Sequence, residues 1–594
     1  MRVCHTCLDV RTCRGSASRL LNGVAAMTYD RNGALRVGIL MDSFTLPAWA
    51  YEVLATLQQS AYARIQLIVL NDSFAPSRRG VFAKVVKNWN ALLYLAYSKL
   101  APRVFTAAPE AFEPRSATDL LRDAPILRVK PQGSRHCDWF ADNDVERIRS
   151  YHLDVLVRLG FRILRGGILQ AARYGVWSYH HGDNKVNRGG PPGFWEVLEG
   201  HAVTGSILQR LNDELDNGTV LCRSFSATDP LSVQRNQNNC YWKSVSFLPR
   251  ELQRLHALGG AEFFRRVDAR NHLRFYSQRL YVAPRNRRFV AAFGKHLVRY
   301  GARKLTDALF GDQGILLFDL RNELSSSLWR FKRIVPPRDR CWADPHVLYR
   351  NGTYHIFIEE FLRDRGTGHI AVMQMDDTGR YSAPQPVLTR SYRLAYPFVF
   401  EWQGDYYMIP ETSTNQTVEV YRCLEFPTRW AFCGTLMENV TAVDTTLYCD
   451  GQKWWLFANI RERPGASLGD ELFLFYADTP LTKHWTAHPE NPVVSDVRRS
   501  RPAGRLFEHR GQLYRPSRDS SRGDGYAVKI NRVVTLTETE YREEEVSSIE
   551  PDWANDIRGV GMLSHAHRLT VVDARLRRFI YPPRDKGTPA APVA

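Results

Sequence analysis

No run of about 18 or more consecutive apolar residues occurs in the chain, so no segment reads as a membrane-spanning helix. The N-terminus has no compact apolar stretch ahead of a cleavage site, which argues against a secretory signal. No Gly-x-Gly-x-x-Gly follows the first strand-like segment, which argues against a dinucleotide site. Zinc-finger spacing, an RNA-binding signature and a concentrated basic helix are all missing, so no nucleic-acid partner is expected. Cysteine is sparse: ten residues lie scattered, and Cys4-x-x-Cys7 with Cys13 has no second Cys or His pair at ligand spacing nearby. Such thiols read as reduced, so a cytoplasmic location, no disulfide framework and no metal are expected.

What is present is length and positive charge. The chain has 594 residues, 44% of them hydrophobic, too many for one core and ample for two or three domains. Its formal charge of +18 is spread, with clusters such as Arg265-Arg266, at 285–288 and at 498–501, and it favours anionic partners. Residues 1–33 show no periodicity and read as a disordered arm, or as sequence upstream of a start at Met27. Regular patterning begins at Ala34. The run 35–40 reads as a buried strand, 47–59 as a helix and 65–70 as a second strand, the opening of a doubly wound sheet. Residues 81–101 read as a helix in an insertion. A further helix (144–151), a strand (153–159) and a helix (168–174) lead to Trp177.

The chemistry-bearing residues concentrate in 175–221. A His-rich loop precedes Arg188-Gly189-Gly190-Pro191-Pro192, a short helix around Trp195, a strand from Thr204-Gly205, and the acidic turn Leu215-Asp216-Asn217-Gly218. This order resembles the folate-dependent formyltransferases, whose members formylate methionyl-tRNA, glycinamide ribonucleotide or sugar nucleotides. Aligned on Arg188-Gly189, the family's His falls on His180 and its Asp on Asp216, while its Asn is replaced by Ser178. The loop Gly182-Asp183-Asn184-Lys185-Val186 departs from the family's usual Ser-Leu-Leu-Pro. Formyl transfer to an amine needs a donor for a developing oxyanion and a group to take the amine proton. His180 suits the second task because imidazole titrates near neutrality, with Asp216 fixing its tautomer or relaying the proton. Ser178 offers one hydrogen bond where Asn would offer two, so Ser178 substitutes in part or His181 helps. The resemblance implies formyltetrahydrofolate as cofactor, with a pocket around 159–164 that includes Gly160 and Phe161. It also places His181, Asp183, Arg188 and Gly189 around the substrate.

Residues 34–226 are therefore expected to form a Rossmann-like α/β formyltransferase-like domain, and 227–338 a helical, basic connector. The second half changes character. Segments at 347–360, 398–411, 447–459, 506–517 and, weakest, 565–573 echo one another at spacings of roughly 45 to 60 residues. The first four each read as strand, Gly-containing turn and aromatic-rich strand, that is, a β-hairpin. Repeated hairpins of this kind predict an all-β five-bladed propeller over 339–582, followed by a disordered tail at 583–594. The sequences Trp342-Ala343-Asp344-Pro345, Tyr396-Pro397-Phe398, Ile409-Pro410-Glu411-Thr412-Ser413, Asp444-Thr445-Thr446, Ser500 to Arg505 and Tyr541 to Glu544 resemble glycoside-hydrolase-like propellers. They resemble more closely the N-terminal domain of glucosamine inositolphosphorylceramide transferases. The resemblance implies that Asp344, Glu411 and Asp444, one per blade, converge on a central funnel. Paired carboxylates there permit glycoside hydrolysis, and sugar binding or a purely structural funnel is the weightier expectation.

Together the halves predict a folate-dependent N-formyltransferase whose acceptor is an amino sugar, nucleotide-linked or in a glycoconjugate precursor, with the propeller binding carbohydrate. Two alternatives stand: a catalytically degenerate formyltransferase fold with a glycan-binding propeller, and a propeller-based glycosidase or glycosyltransferase.

Overall fold

The computed structural model describes residues 33–73, 89–133, 136–272, 275–277, 279–325 and 327–579. The arm and tail expected at the two ends, the Cys4-x-x-Cys7 pair and the first part of the helix expected at 81–101 lie outside them. Of that helix, the described part runs Leu92–Val104. The chain is largely β, with an α/β region ahead of it.

The α/β region is organised on a seven-stranded sheet. In chain order its strands are β1 (Leu35–Met41), β2 (Ala63–Asn71), β3 (Ile126–Val129), β4 (Val155–Arg158), β5 (Val176–His180), β6 (Val203–Arg210) and β7 (Thr219–Ala227). Their spatial order is β7-β6-β5-β4-β1-β2-β3. The strands from β3 to β5 run parallel, whereas β6 and β7 return antiparallel. Strands β1, β2 and β4 are apolar on both faces because helices cover both sides, as a parallel sheet requires. One cover is α1 (Ala48–Gln58), which buries Trp49, Val53, Leu54 and Leu57.

The stretch expected to be a connector is divided by the structure. Helices α2 (Val233–Ser244) and α3 (Phe247–Arg270) bury Trp242, Leu248, Leu252, Phe263 and Val267 in the same core as α1, so they complete the α/β unit. Helix α3 breaks at Gly259 (φ 73°), where the left-handed backbone costs glycine nothing. Helix α4 (Asn286–Leu309) buries Phe289 against Phe194 and Trp195. Strands Phe310–Leu320 and Lys332–Ile334 belong to the β half, because the first pairs with Leu569–Phe579 of the hairpin Ile557–Phe579 and the second pairs with the first.

The β half contains five antiparallel sheets. The first begins at Arg340–Arg350, the second at Ala395–Trp402, the third at Ala442–Cys449 and the fourth at Arg501–Pro502. The fifth joins distant segments, with Phe310–Leu320 paired along its whole length with Leu569–Phe579, and Ile557–Ala566 beyond. Each sheet packs on its successor, and the fifth packs on both the fourth and the first.

The two halves are locked together by buried polar groups. Lys243 and Asp470, 2% and 1% exposed, form an ion pair at 3.2 Å. Arg250 is bidentate to Glu471 at 2.9 Å and also engages Glu462. Among the described residues, no helix is long and apolar enough to cross a membrane.

Candidate functional site

The α/β centre is built at the end of β5. Side chains alternate along a strand, so Ser178 and His180 share one face while Tyr179 and His181 share the other, their rings stacked at 5.9 Å. The His180 Nδ1 atom lies 3.4 Å from Asp216 Oδ1, and its Nε2 lies 3.1 Å from the carbonyl of Asn187. A carbonyl only accepts, so Nε2 carries the hydrogen and Nδ1 is the atom facing Asp216 on which a proton can be received. Asp216 is itself held. Its backbone is left-handed (φ 51°), and its Oδ2 accepts from the Gly189 amide at 2.8 Å. Gly189 (φ 99°) is obligatory, since a Cβ there would sit 2.2 Å from the carbonyl of Tyr281. The Arg188-Gly189 dipeptide and the acidic turn thus meet in space across the interval read from the sequence.

Several expected partners take other positions. His181 does not assist His180. Strand alternation turns it into an aromatic nest with Tyr241 at 3.6 Å and Trp49 at 5.5 Å, and neither ring nitrogen finds a hydrogen bond. Burial first, and then the neighbouring His180, push its pKa down to about 3. Ser178 is only 1% exposed; its hydroxyl accepts from Arg158 at 3.1 Å and donates to the carbonyl of Tyr179 at 3.3 Å. Its hydroxyl is therefore committed to protein groups on both counts, donor and acceptor. Asp183 is ion-paired with Arg223. The amides of Gly160 and Phe161 are committed to the Leu40 carbonyl and the Asp42 carboxylate, at 2.9 Å each, so the expected folate segment offers neither as a donor. Phe161 instead packs on Phe140.

One residue was not foreseen. Arg158 closes β4, donates to Ser178 and to the carbonyl of Phe161 at 3.1 Å each, and leaves its Nε without a partner. Burial lowers its pKa, opposed by the charges of Asp216, Asp42 and Asp138. A guanidinium ending an otherwise apolar strand, Val155-Leu156-Val157, was the available signal.

The His181 environment carries a pH signature. The unfolded ring gains its proton near pH 6.5 and the folded ring only near 3, so the unfolded chain binds more protons between these values. Stability accordingly falls as pH drops through that window, by about 1.4 kcal/mol per unit. Replacement of His181 by Phe, which keeps the ring stack and removes both orphan nitrogens, is expected to flatten that slope. The check is urea unfolding near pH 5 and near pH 8, with the gain in midpoint larger at the acid value.

The β centre is a circuit of hydrogen bonds through all five sheets. The Asp344 amide donates to Asp573 of the fifth sheet at 3.0 Å, and Asp344 accepts from the Tyr396 amide at 3.3 Å. The Tyr396 hydroxyl pairs with Thr446 at 2.7 Å and accepts from the Gly504 amide at 3.2 Å. Asp344, Tyr396 and Asp444 are left-handed (φ 52°, 45° and 54°), each at a register shift in the first strand of its sheet. Such bulges re-aim side chains next to sites. The residue of the second sheet equivalent to the two aspartates is therefore Tyr396, not Glu411, which comes from the end of Asp405–Glu411 and accepts from Ser413 at 2.8 Å. Asp344 is ion-paired with Arg518 at 2.8 Å and Asp444 with Arg501 at 2.6 Å. Both aspartates face arginines, an arrangement suited to binding and poorly suited to supplying a free catalytic base.

Glu411 is nevertheless drawn into the cluster. Burial, then Asp444 and Asp344, raise its pKa to about 7, opposed by Arg501. The folded chain keeps this proton up to about pH 7, whereas the unfolded chain releases it near 4.5, so stability is lost as pH rises between these values. Glu411→Gln is expected to abolish that loss, read as a flattened dependence of the denaturation midpoint from about pH 5 to about pH 8.

Among the described residues, no group of three or more His, Cys, Asp or Glu side chains is placed to hold a metal ion.

The comparisons with known proteins divide along the same line. Residues 338–572 match the family model for the glucosamine inositolphosphorylceramide transferase 1 N-terminal region. Over 208 residues the chain is 32% identical to glucosamine inositolphosphorylceramide transferase 1 of Oryza sativa subsp. japonica, covering 34% of this chain and 28% of that protein. It is 26% identical over 167 residues to methionyl-tRNA formyltransferase of Chlorobium chlorochromatii, covering 28% of this chain and 50% of that protein. The chain thus spans less than a third of the first relative and half of the second. A family 117 glycoside hydrolase from Zobellia galactanivorans superposes with a TM-score of 0.30 and 13% identity, covering 48% of this chain and 96% of that one.

Proposed function

We propose that this chain is a carbohydrate-directed transferase, in which the five sheets form a five-bladed propeller that holds a saccharide and the α/β unit transfers a formyl group to an amino sugar. The observation that carries it is the His180–Asp216 pair, locked by the Gly189 amide at 2.8 Å. In this reading His180 Nδ1 takes the proton released by the acceptor amine, and Asp216 stabilises the imidazolium. The Asn187 carbonyl holds the ring so that Nδ1 keeps its orientation. A formyltetrahydrofolate, when bound, supplies the activated one-carbon unit. The buried Nε of Arg158, which lacks a partner, is the donor at this centre that fits a carbonyl-bearing ligand, and Asp42 and Asp216 offset its charge. The match of 338–572 to the N-terminal region of glucosamine inositolphosphorylceramide transferase 1 supports sugar as the common element.

The test couples binding of a folate analogue to a mass-spectrometric screen of amino sugars with formyltetrahydrofolate. A product carrying one extra formyl group, formed far more slowly by His180→Ala and less severely reduced in Asp216→Asn, is expected. Saccharide binding without folate binding or product would instead establish the second reading, a glycan-binding protein whose α/β centre is silent. That reading is favoured by the burial of Ser178 and by the longer match to the glucosamine inositolphosphorylceramide transferase, 208 residues against 167 for the formyltransferase.

A further inference from the structure

Between the two halves lies a cleft of about 1320 Å³, larger than the roughly 300–1,000 Å³ pockets of drug-sized ligands. Ten Lys and Arg side chains line it against five Glu, and this surplus concentrates at particular residues. Glu471 is consumed by Arg250, Glu251 by Arg254, and Glu490 by Arg266 and Arg270. Glu543 is bidentate to the fully buried Arg515, which does not line the cleft. Two lining arginines remain that form no ion pair among the described residues, and each half of the chain contributes one.

Arg188 comes from the loop after β5. It donates only to neutral groups, the Asn184 carbonyl at 3.1 Å and the Asn217 side chain at 2.7 Å, and its guanidinium lies 4.5 Å over the ring of Tyr276. Arg499 comes from the segment ahead of the fourth sheet, and Glu543, a carboxylate its charge acts on, is already spent on Arg515. Arg542 stands on the same wall, with Glu544 3.8 Å away at the surface. Two forked cations, one from each half, line this single cleft, and such groups fit the oxygens of phosphate, which accept bidentate donors.

We infer that this cleft seats the phosphate of a phosphosaccharide, gripped by Arg188 from one half and Arg499 from the other. Its position suits the transfer reading. Asn184 and Arg188 line the cleft and also border the catalytic turn, since the Asn184 side chain donates to the Asp216 carbonyl at 3.2 Å and the residue after Arg188 holds the Asp216 carboxylate. The saccharide part of the ligand rests on the function proposed above, whereas phosphate binding stands without it.

The experiment is calorimetric titration of the full chain, with no formyl donor present, against inorganic pyrophosphate, UDP-N-acetylglucosamine and a short-chain polyprenyl-diphosphate sugar, with N-acetylglucosamine as the uncharged, phosphate-free control. Pyrophosphate and at least one sugar diphosphate are expected to bind with an affinity that falls as salt rises, and the tighter of the last two identifies a nucleotide or a lipid source. Arg499→Gln and, separately, the surface change Arg542→Gln are each expected to weaken binding, the first by roughly tenfold or more. Lys483→Gln, which removes a surface cation outside the cleft, is expected to bind as the unaltered chain does, so loss of one positive charge elsewhere does not disturb the readout. Absence of pyrophosphate binding, or binding indifferent to both arginine changes in folded protein, would overturn the inference.

Discussion

Lys243→Met is expected to destabilise the protein by about 3–5 kcal/mol, because it strands a carboxylate in the joint between the halves. Lys243 Nζ donates to the Phe225 carbonyl at 3.0 Å and to Ser226 Oγ at 3.2 Å, besides its ion pair with Asp470. Ser226 donates in turn to Asp470 Oδ2 at 2.6 Å, and Oδ1 of the same carboxylate has no partner. With the ammonium gone, Asp470 retains one hydrogen bond and no counter-charge in a site closed to water. Lys243→Met combined with Asp470→Leu is expected to recover much of the loss, since an apolar pair of similar volume pays no desolvation. Chemical denaturation of the three variants gives the answer. A single variant within about 1 kcal/mol of the parent would show that water reaches the joint.

His180→Ala is expected to lower formyl transfer by about 10²–10⁴-fold, the range for loss of a positioned acid–base group. Asp216→Asn should cost less, because an amide oxygen still accepts from the Gly189 amide while the charge opposite Nδ1 is lost. The ordering of the two variants is diagnostic. Equal losses would make Asp216 part of the reacting set, whereas a silent His180→Ala would remove His180 from it. Product formation measured by mass, at saturating acceptor, separates the turnover effect from binding.

The parts of this architecture that the chain announces are local. Strands β1, β2 and β4 are predominantly apolar because both faces of their central residues are buried, and the hairpins of the β half carry glycine at their turns. The His180–Asp216 meeting was legible through the resemblance to the folate-dependent formyltransferases, aligned on Arg188-Gly189. What was hidden depends on partners distant in sequence. Arg158 reads as the polar end of a strand until β5 brings Ser178 alongside it. Tyr396 looks like one more aromatic in an alternating strand, and only the bulge beside it places it with Asp344 and Asp444. Helices α2 and α3 carry many polar residues, so their membership of the α/β core emerges only where Trp242 and Leu252 pack against α1. The strand Phe310–Leu320 had no local sign of its destination, because its partner lies at Leu569–Phe579.

That pairing has a consequence for how the protein is made. A ribosome delivers the chain from its N-terminus, and domains generally fold as units during synthesis. The α/β sheet, complete at Ala227, can form early. The strand Phe310–Leu320 then waits, one edge without its mate, until Leu569–Phe579 emerges. During that interval the nascent chain exposes an apolar edge of the kind that invites pairing with other chains. Arrest or premature termination before residue 569 therefore leaves four sheets without the seam that binds first strand to last. Such products should be strong clients for chaperones and protease, and the arrival of Leu569–Phe579 decides whether everything before it is kept.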